Sequence, residues 1–148
     1  MTVVMRLDFK GAEQLERKFK RLPQAMKGPI LLKAANAGAR PIRDDARRRA
    51  PRRGGLLKRE IVDRVLSKDA DLASVGVGWK RGKASRTPAF YGLFVEKGTA
   101  GRVRKSGGRT GRVSAKPFLQ PAFDTNKDSS AKLMEGVLKT EIERVARG

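Results

Sequence analysis

The chain has no cysteine and no histidine among its 148 residues. Without cysteine there are no disulfides and no thiolate metal sites, so stability rests on packing and association, and thiol usage says nothing of the compartment. With neither histidine nor cysteine, the commonest general base and the most nucleophilic side chain are both missing, which argues against an enzyme. Aromatic residues are few, with one Trp, one Tyr and six Phe. Trp79 and Tyr91 stand too far apart to suggest a platform on which single-stranded bases stack. Acidic residues number only 15 and are scattered among cations, whereas a carboxylate metal site needs several to converge. The segment GGRTGRVS lacks the Gly-Lys-Ser/Thr of a phosphate-binding loop. Neither a metal nor a cofactor is expected. Apolar runs are short and the opening MTVVMRLDF lacks the basic-then-apolar layout of a signal peptide, so neither membrane spanning nor export is expected.

What the chain does have is positive charge. Lys and Arg number 35, for a formal net charge of +20. Self-repulsion at that level opposes a compact monomer in low salt and points to an anionic neighbour, without choosing between nucleic acid, an acidic protein face and an acidic membrane surface. Hydrophobic residues make up 39% and charged residues 34%, so the core is thin and much of the surface is solvated or covered by partners. The length suits one domain, residues 1–148, which buries about two-thirds of its unfolded surface.

Along the chain, Val3, Met5, Leu7 and Phe9 alternate with Val4, Arg6, Asp8 and Lys10, predicting a half-buried strand over 2–10. Leu15, Phe19 and Leu22 predict a short amphipathic helix closed by Pro23. Ile30, Ala34, Gly38, Ile42, Ala46 and Ala50 follow i, i+4, predicting a long helix with Pro29 in its first turn and an end before Pro51. Pro41 within it removes a backbone bond and predicts a kink near 37–41. LLKREIVDRVL at 56–66 fits helix or strand. ASVGVGWK and AFYGLFVEK, rich in β-branched or aromatic residues, read as strands. Residues 98–114, GTAGRVRKSGGRTGRVS, have the composition of a flexible basic loop. SAKPFLQPAFD is too rich in Pro for a long helix, and Leu133, Val137, Leu138, Ile142 and Val145 then form a helical stripe.

Four stretches, in this order, resemble one family: GAEQLERKFKRL at 11–22, APRRGGLLKREI at 50–61, FYGLFVEKGT at 90–99 and AKPFLQPAFD at 115–124. The family is that of the tail-completion, head-tail joining or neck proteins of long-tailed double-stranded DNA bacteriophages. Each motif alone is weak; their order and spacing over most of the chain carry the resemblance. It implies an α+β fold: a small, mainly antiparallel sheet packed by the long kinked helix and a C-terminal helix, with 56–66 as a strand. It also implies a non-enzymatic virion protein at the head-tail junction, assembled in the host cytoplasm as a homo-oligomeric, hexameric ring. The neighbours would be tail terminator, head-closure or tail-tube proteins. DNA in the lumen is a further possible contact, and no membrane is involved.

Candidate residues follow from these readings. Glu96, Gly98 and Thr99 are placed at a subunit contact, against the simpler view of a strand-end Glu in exposed pairs worth about 0–1 kcal/mol. Arg102, Arg104, Lys105, Arg109 and Arg112 would touch DNA phosphate or an acidic face of an adjoining ring, or else stay solvated. Pro51, Gly54 and Gly55 read as a tight turn needing positive φ rather than a hinge. Pro117, Phe118, Pro121 and Phe123 read as structural turn and core, Phe118 and Phe123 supplying area to close the sheet. The block Arg40, Arg43, Arg47, Arg48, Arg49, Arg52 and Arg53 reads as a solvated helix face, with i, i+4 partners at Asp44 and Asp45. The competing function is a free nucleic-acid-binding protein, although no recognition helix, RNA-binding sheet motif or zinc finger is visible.

Overall fold

The computed structural model describes residues 13–52, 55–79 and 91–148, with the backbone of residues 3–4. Strand β1 is Val3–Val4; the rest of the strand expected over 2–10 lies outside the described residues. Helix α1, Glu13–Lys20, carries Glu13 and Glu16 in its first turn and Arg17, Lys18 and Lys20 in its last. That order complements the helix dipole. Leu15 and Phe19, four apart, turn the same face onto the core, and Pro23 follows as the N-cap residue of the next helix.

Helix α2 runs from Gln24 to Arg49 and contains both Pro29 and Pro41. It therefore begins earlier than expected, and Pro29 lies inside it rather than in its first turn. Ile30, Ala34, Gly38, Ile42 and Ala46 form its buried stripe, as the i, i+4 spacing predicts. This helix is the central element of the fold. It packs lengthwise against the C-terminal helix α5, Leu119–Arg147, and its other contacts are mainly to the sheet. Small residues let α2 and α5 approach closely: a Cβ on Gly38 would overlap the side chain of Met134.

Segment 56–66 is divided between the two readings. Leu56–Glu60 forms a short helix α3, and strand β2 starts at Ile61 and runs to Lys68. Gly55 precedes the helix with φ +67, the left-handed conformation that glycine adopts without steric cost. The expected turn is thus present at Gly55, with Pro51 half-buried; Gly54 and Arg53 lie outside the described residues. Strand β3, Ala73–Trp79, pairs antiparallel with β2 on one side and with β1 on the other, giving the order β1-β3-β2. Val75 and Val77 are buried while Ile61 opposes Trp79. The fold is α+β, a small antiparallel sheet packed by a long helix and a C-terminal helix.

Three local expectations are corrected. AFYGLFVEK is not a strand where it is described: Gly92–Lys97 is a helix, α4. Residues 98–114 are not without regular structure, because β4, Arg102–Val103, and β5, Arg109–Thr110, pair as a hairpin above a bridge between Thr99 and Val113. The Pro-rich stretch does not delay the last helix, which starts at Leu119 and takes Pro121 into its first turn. There the missing N–H costs nothing, since the first turn's donors have no partner within the helix. Among the described residues no helix is long and apolar enough to cross a membrane.

Candidate functional site

Helix α4 is short and its β-forming side chains do not favour it, so its position comes from tertiary contacts. Gly92 sits where a Cβ would be 2.9 Å from the Trp79 ring, which lets the helix settle against the end of β3. One turn later Glu96 points inward and is only 5% exposed. Its Oε2 accepts the backbone N–H groups of Phe118 at 2.8 Å and Leu119 at 3.0 Å, and its Oε1 accepts that of Gln120 at 3.0 Å. These are opening donors of α5, which has no side-chain cap at Phe118. A carboxylate there satisfies orphan N–H groups and meets the positive end of the helix dipole. Glu96, expected at a subunit contact, acts within the chain as a cap of α5.

Gly98 ends α4, donating its N–H to the Phe94 carbonyl at 2.8 Å. Its φ is +72, and a Cβ would stand 2.9 Å from both Ala115 N and Val113 O. Only glycine fits this crossing of two backbones. Beyond it Thr99 N–H donates to Val113 O at 2.9 Å, Val113 N–H donates to Thr99 Oγ1 at 3.2 Å, and Lys116 N–H donates to Val95 O at 2.7 Å. Both feet of the hairpin are therefore tied to α4. Gly98 and Thr99 are half-buried parts of this anchor.

The hairpin itself is held by its backbone and by Thr110, whose hydroxyl donates to the Arg102 carbonyl at 2.8 Å and accepts the Arg102 N–H at 3.2 Å. Gly107, φ +81, closes the turn, with Arg104 and Gly108 bonded across it. The Arg102 guanidinium lies 5.6 Å from the centre of the Phe94 ring, a cation–π distance. Side chains alternate across a pleat, so with Arg102 turned toward α4, Val103 and Arg109 face outward. Val103 is 69% exposed. Arg104, Lys105, Arg109 and Arg112 are exposed, and their side chains make no ion pair or hydrogen bond with a described residue. From Lys97 through Phe123 every charged residue is a cation.

The other basic block behaves differently. Arg43 donates to Asp44 at 2.9 Å and to Asp63 on β2 at 2.7 Å. Both carboxylates raise the affinity of Arg43 for its proton, Asp44 first. Arg47 gives two hydrogen bonds, 2.9 and 2.7 Å, to the Ile61 carbonyl. Asp45, 6% exposed, accepts from Arg49 at 3.0 Å, from Arg48 at 3.1 Å and from Asn126 of α5 at 2.9 Å. Burial pushes the Asp45 carboxyl up, but the bonds from Arg49 and Asn126 and the charges of Arg49 and Arg48 outweigh it and hold its pKa below the usual value. Asp63 shows the same balance, burial opposed by Arg43. Much of a block expected to be a solvated face thus clips α2 to β2 and α5. The Asp45–Arg49 spacing pairs as expected, while Asp44 takes Arg43 rather than Arg48.

Phe118 is fully buried with its ring centre 6.1 Å from that of Trp79, Leu119 is fully buried, and Phe123 packs at the edge of the core. Pro121 is half-buried and Pro117 is exposed. Among the described residues no group of His, Cys, Asp and Glu is placed to hold a metal ion. Residues 13–98 match the family model described as "Bacteriophage HK97-gp10, putative tail-component", more than half of the chain. The chain belongs to this family. No curated protein and no solved structure matches it significantly. The matched region of this tail component runs from α1 to the crossing at Gly98, so it holds only the α4 side of the hairpin's anchor, while Thr99, Val113, Lys116 and the hairpin itself lie beyond it. The structure brings Glu96, Gly98 and Thr99, expected at a subunit contact, together at the foot of the hairpin; sequence reasoning missed Phe94, Val95 and the tie from Asp45 to Asn126, which depend on partners distant in sequence.

Proposed function

We propose that this tail component is a structural, non-enzymatic subunit at the head-tail junction of the virion. There it completes the tail end and forms a homo-oligomeric, hexameric ring beside tail terminator, head-closure or tail-tube proteins. The observation that carries this reading is the family match over residues 13–98. Two features of the molecule support it. Its buried polar groups are spent on holding elements together, as in the Glu96 cap and the Asp45 cluster, rather than converging on an open cleft. Among the described residues it also presents an exposed arm, with an outward Val103 and cations that pair with no described residue, open to a neighbour within the particle.

The alternative is a free, basic nucleic-acid-binding protein, which the charge of +20 favours. Light scattering of the purified chain across a salt series, together with addition of the chain to purified tails that lack it, separates the two. The assembly reading expects a discrete oligomer or a monomer that joins the tails and restores their joining to heads. A chain that stays monomeric and never adds to tails overturns it.

A further inference from the structure

We propose that the β4–β5 hairpin is a phosphate-contacting arm that grips duplex DNA through Arg104, Lys105, Arg109 and Arg112. This deepens the assembly reading and rests on it, because it assigns a partner to a charged element that reading leaves unoccupied.

Three observations carry it. First, the arm's charge is uncompensated: no acid occurs between Lys97 and Phe123, and the four side chains make no ion pair with a described residue. In the block on α2, by contrast, Arg43, Arg48 and Arg49 are each paired with a carboxylate. Second, the arm is held in place. The Gly98 crossing, the Thr99–Val113 bridge and the bond from Lys116 to Val95 fix its feet, and Thr110 fixes its strands. Arg109 stands on the two-pair ladder, Arg104 and Lys105 at the turn it carries and Arg112 just past it, so binding does not have to order a coil.

The third observation is chemical and selects the partner. A second copy of the chain is a poor occupant, since a subunit of charge +20 repels an all-cation arm. A protein interface has a core depleted in charge overall and enriched in aromatic residues and Met, with Arg beside them. The hairpin strands offer no aromatic, only Val103 between arginines. Protein–DNA interfaces are far more positive, and their phosphate contacts are supplied mainly by Arg and Lys without regard to sequence. Arginines on both strands with glycines at the tip match that pattern.

The test compares the full-length protein with two variants of equal charge. One carries Arg104→Gln, Lys105→Gln, Arg109→Gln and Arg112→Gln; the other carries Lys127→Gln, Lys132→Gln, Lys139→Gln and Arg147→Gln on the exposed surface of α5. Binding to a random-sequence duplex is followed by fluorescence anisotropy between about 50 and 200 mM salt. If the arm grips phosphate, the first variant's slope of log K against log salt is shallower by roughly 3.6, four contacts at about 0.9 each, and the second variant stays near wild type. Equal losses in the two variants, or none in either, overturn the proposal. If the arm variant keeps its DNA affinity yet no longer adds to tails, the arm binds protein and the proposal is likewise overturned. Tail addition by the variants, scored separately, keeps this outcome distinct from failure of the assembly reading, in which wild type itself does not add.

Discussion

At Glu96 one carboxylate receives three backbone N–H groups that the last helix cannot satisfy itself. Replacing it by Gln keeps one acceptor oxygen but turns an amide donor toward donors and removes the charge facing the helix dipole. Leaving buried donors unmet costs about 1–3 kcal/mol, so Glu96→Gln is expected to lower the urea midpoint by that equivalent. An unchanged midpoint would mean that the cap contributes nothing. The two glycines of positive φ flanking the core separate conformation from contact. Gly55, φ +67, has nothing within 4 Å of a would-be Cβ, whereas Gly98, φ +72, has backbone at 2.9 Å. Gly55→Ala therefore costs only the left-handed penalty, about 1–2 kcal/mol, and Gly98→Ala costs more, because neither Val113 nor Ala115 backbone can give way cheaply. Finding the reverse order in paired denaturation curves would refute this account of the crossing.

Between elements, the Asp45 cluster is a polar tie joining α2 to α5 through Asn126, with Arg49 reaching Thr125. The folded-state pKa of Asp45 is depressed, so it contributes stability above the unfolded aspartate value of about 3.9, and that contribution is lost as pH falls through the folded value. Asp63, held down by Arg43, and Glu141, held down by Lys33 and Arg144, act with the same sign. Asp45→Asn is expected to be less stable than wild type at neutral pH and to lose less stability on acidification. Urea midpoints from neutral to about pH 3 check this, and parallel curves for the two proteins would contradict it. Such ties are what the sequence conceals. The stripe of α1, the i, i+4 row of α2, the strand at 73–79 and the stripe at 137–145 were legible, because hydrophobic period is a local signal, although Met134 rather than the exposed Leu133 heads the last of these. Gly92–Lys97 was not, since its β-forming residues are overridden by Gly92 against Trp79 and by Glu96 bonding residues more than twenty positions away. The hairpin was hidden for a related reason: glycine content reads as flexibility, but here Gly107 supplies a turn and Thr110 a clasp.

For the whole molecule, the division is between a body that folds and an arm that reaches. The buried hydrophobic set comes from α2, α3, the sheet and α5 with Leu22, Ala50 and Phe118, and β4 and β5 contribute nothing to it. Replacing residues 100–112 by a two-residue Asn-Gly turn preserves the Thr99–Val113 pair, a spacing that suits a hairpin. It sacrifices chiefly the Arg102–Phe94 contact, worth about 0.5–1 kcal/mol at an exposed site. Five cations and no acid leave with it, reducing a charge of +20 whose self-repulsion opposes the compact state. The shortened protein is expected to unfold in one transition within about 1 kcal/mol of wild type, and its stability should respond less to added salt, since less repulsion remains to be screened. Thermal and urea unfolding at low and moderate salt read both quantities. Collapse of cooperativity on shortening would place the hairpin in the folding unit, whereas retention of the fold with loss of DNA binding would locate the arm's purpose outside it.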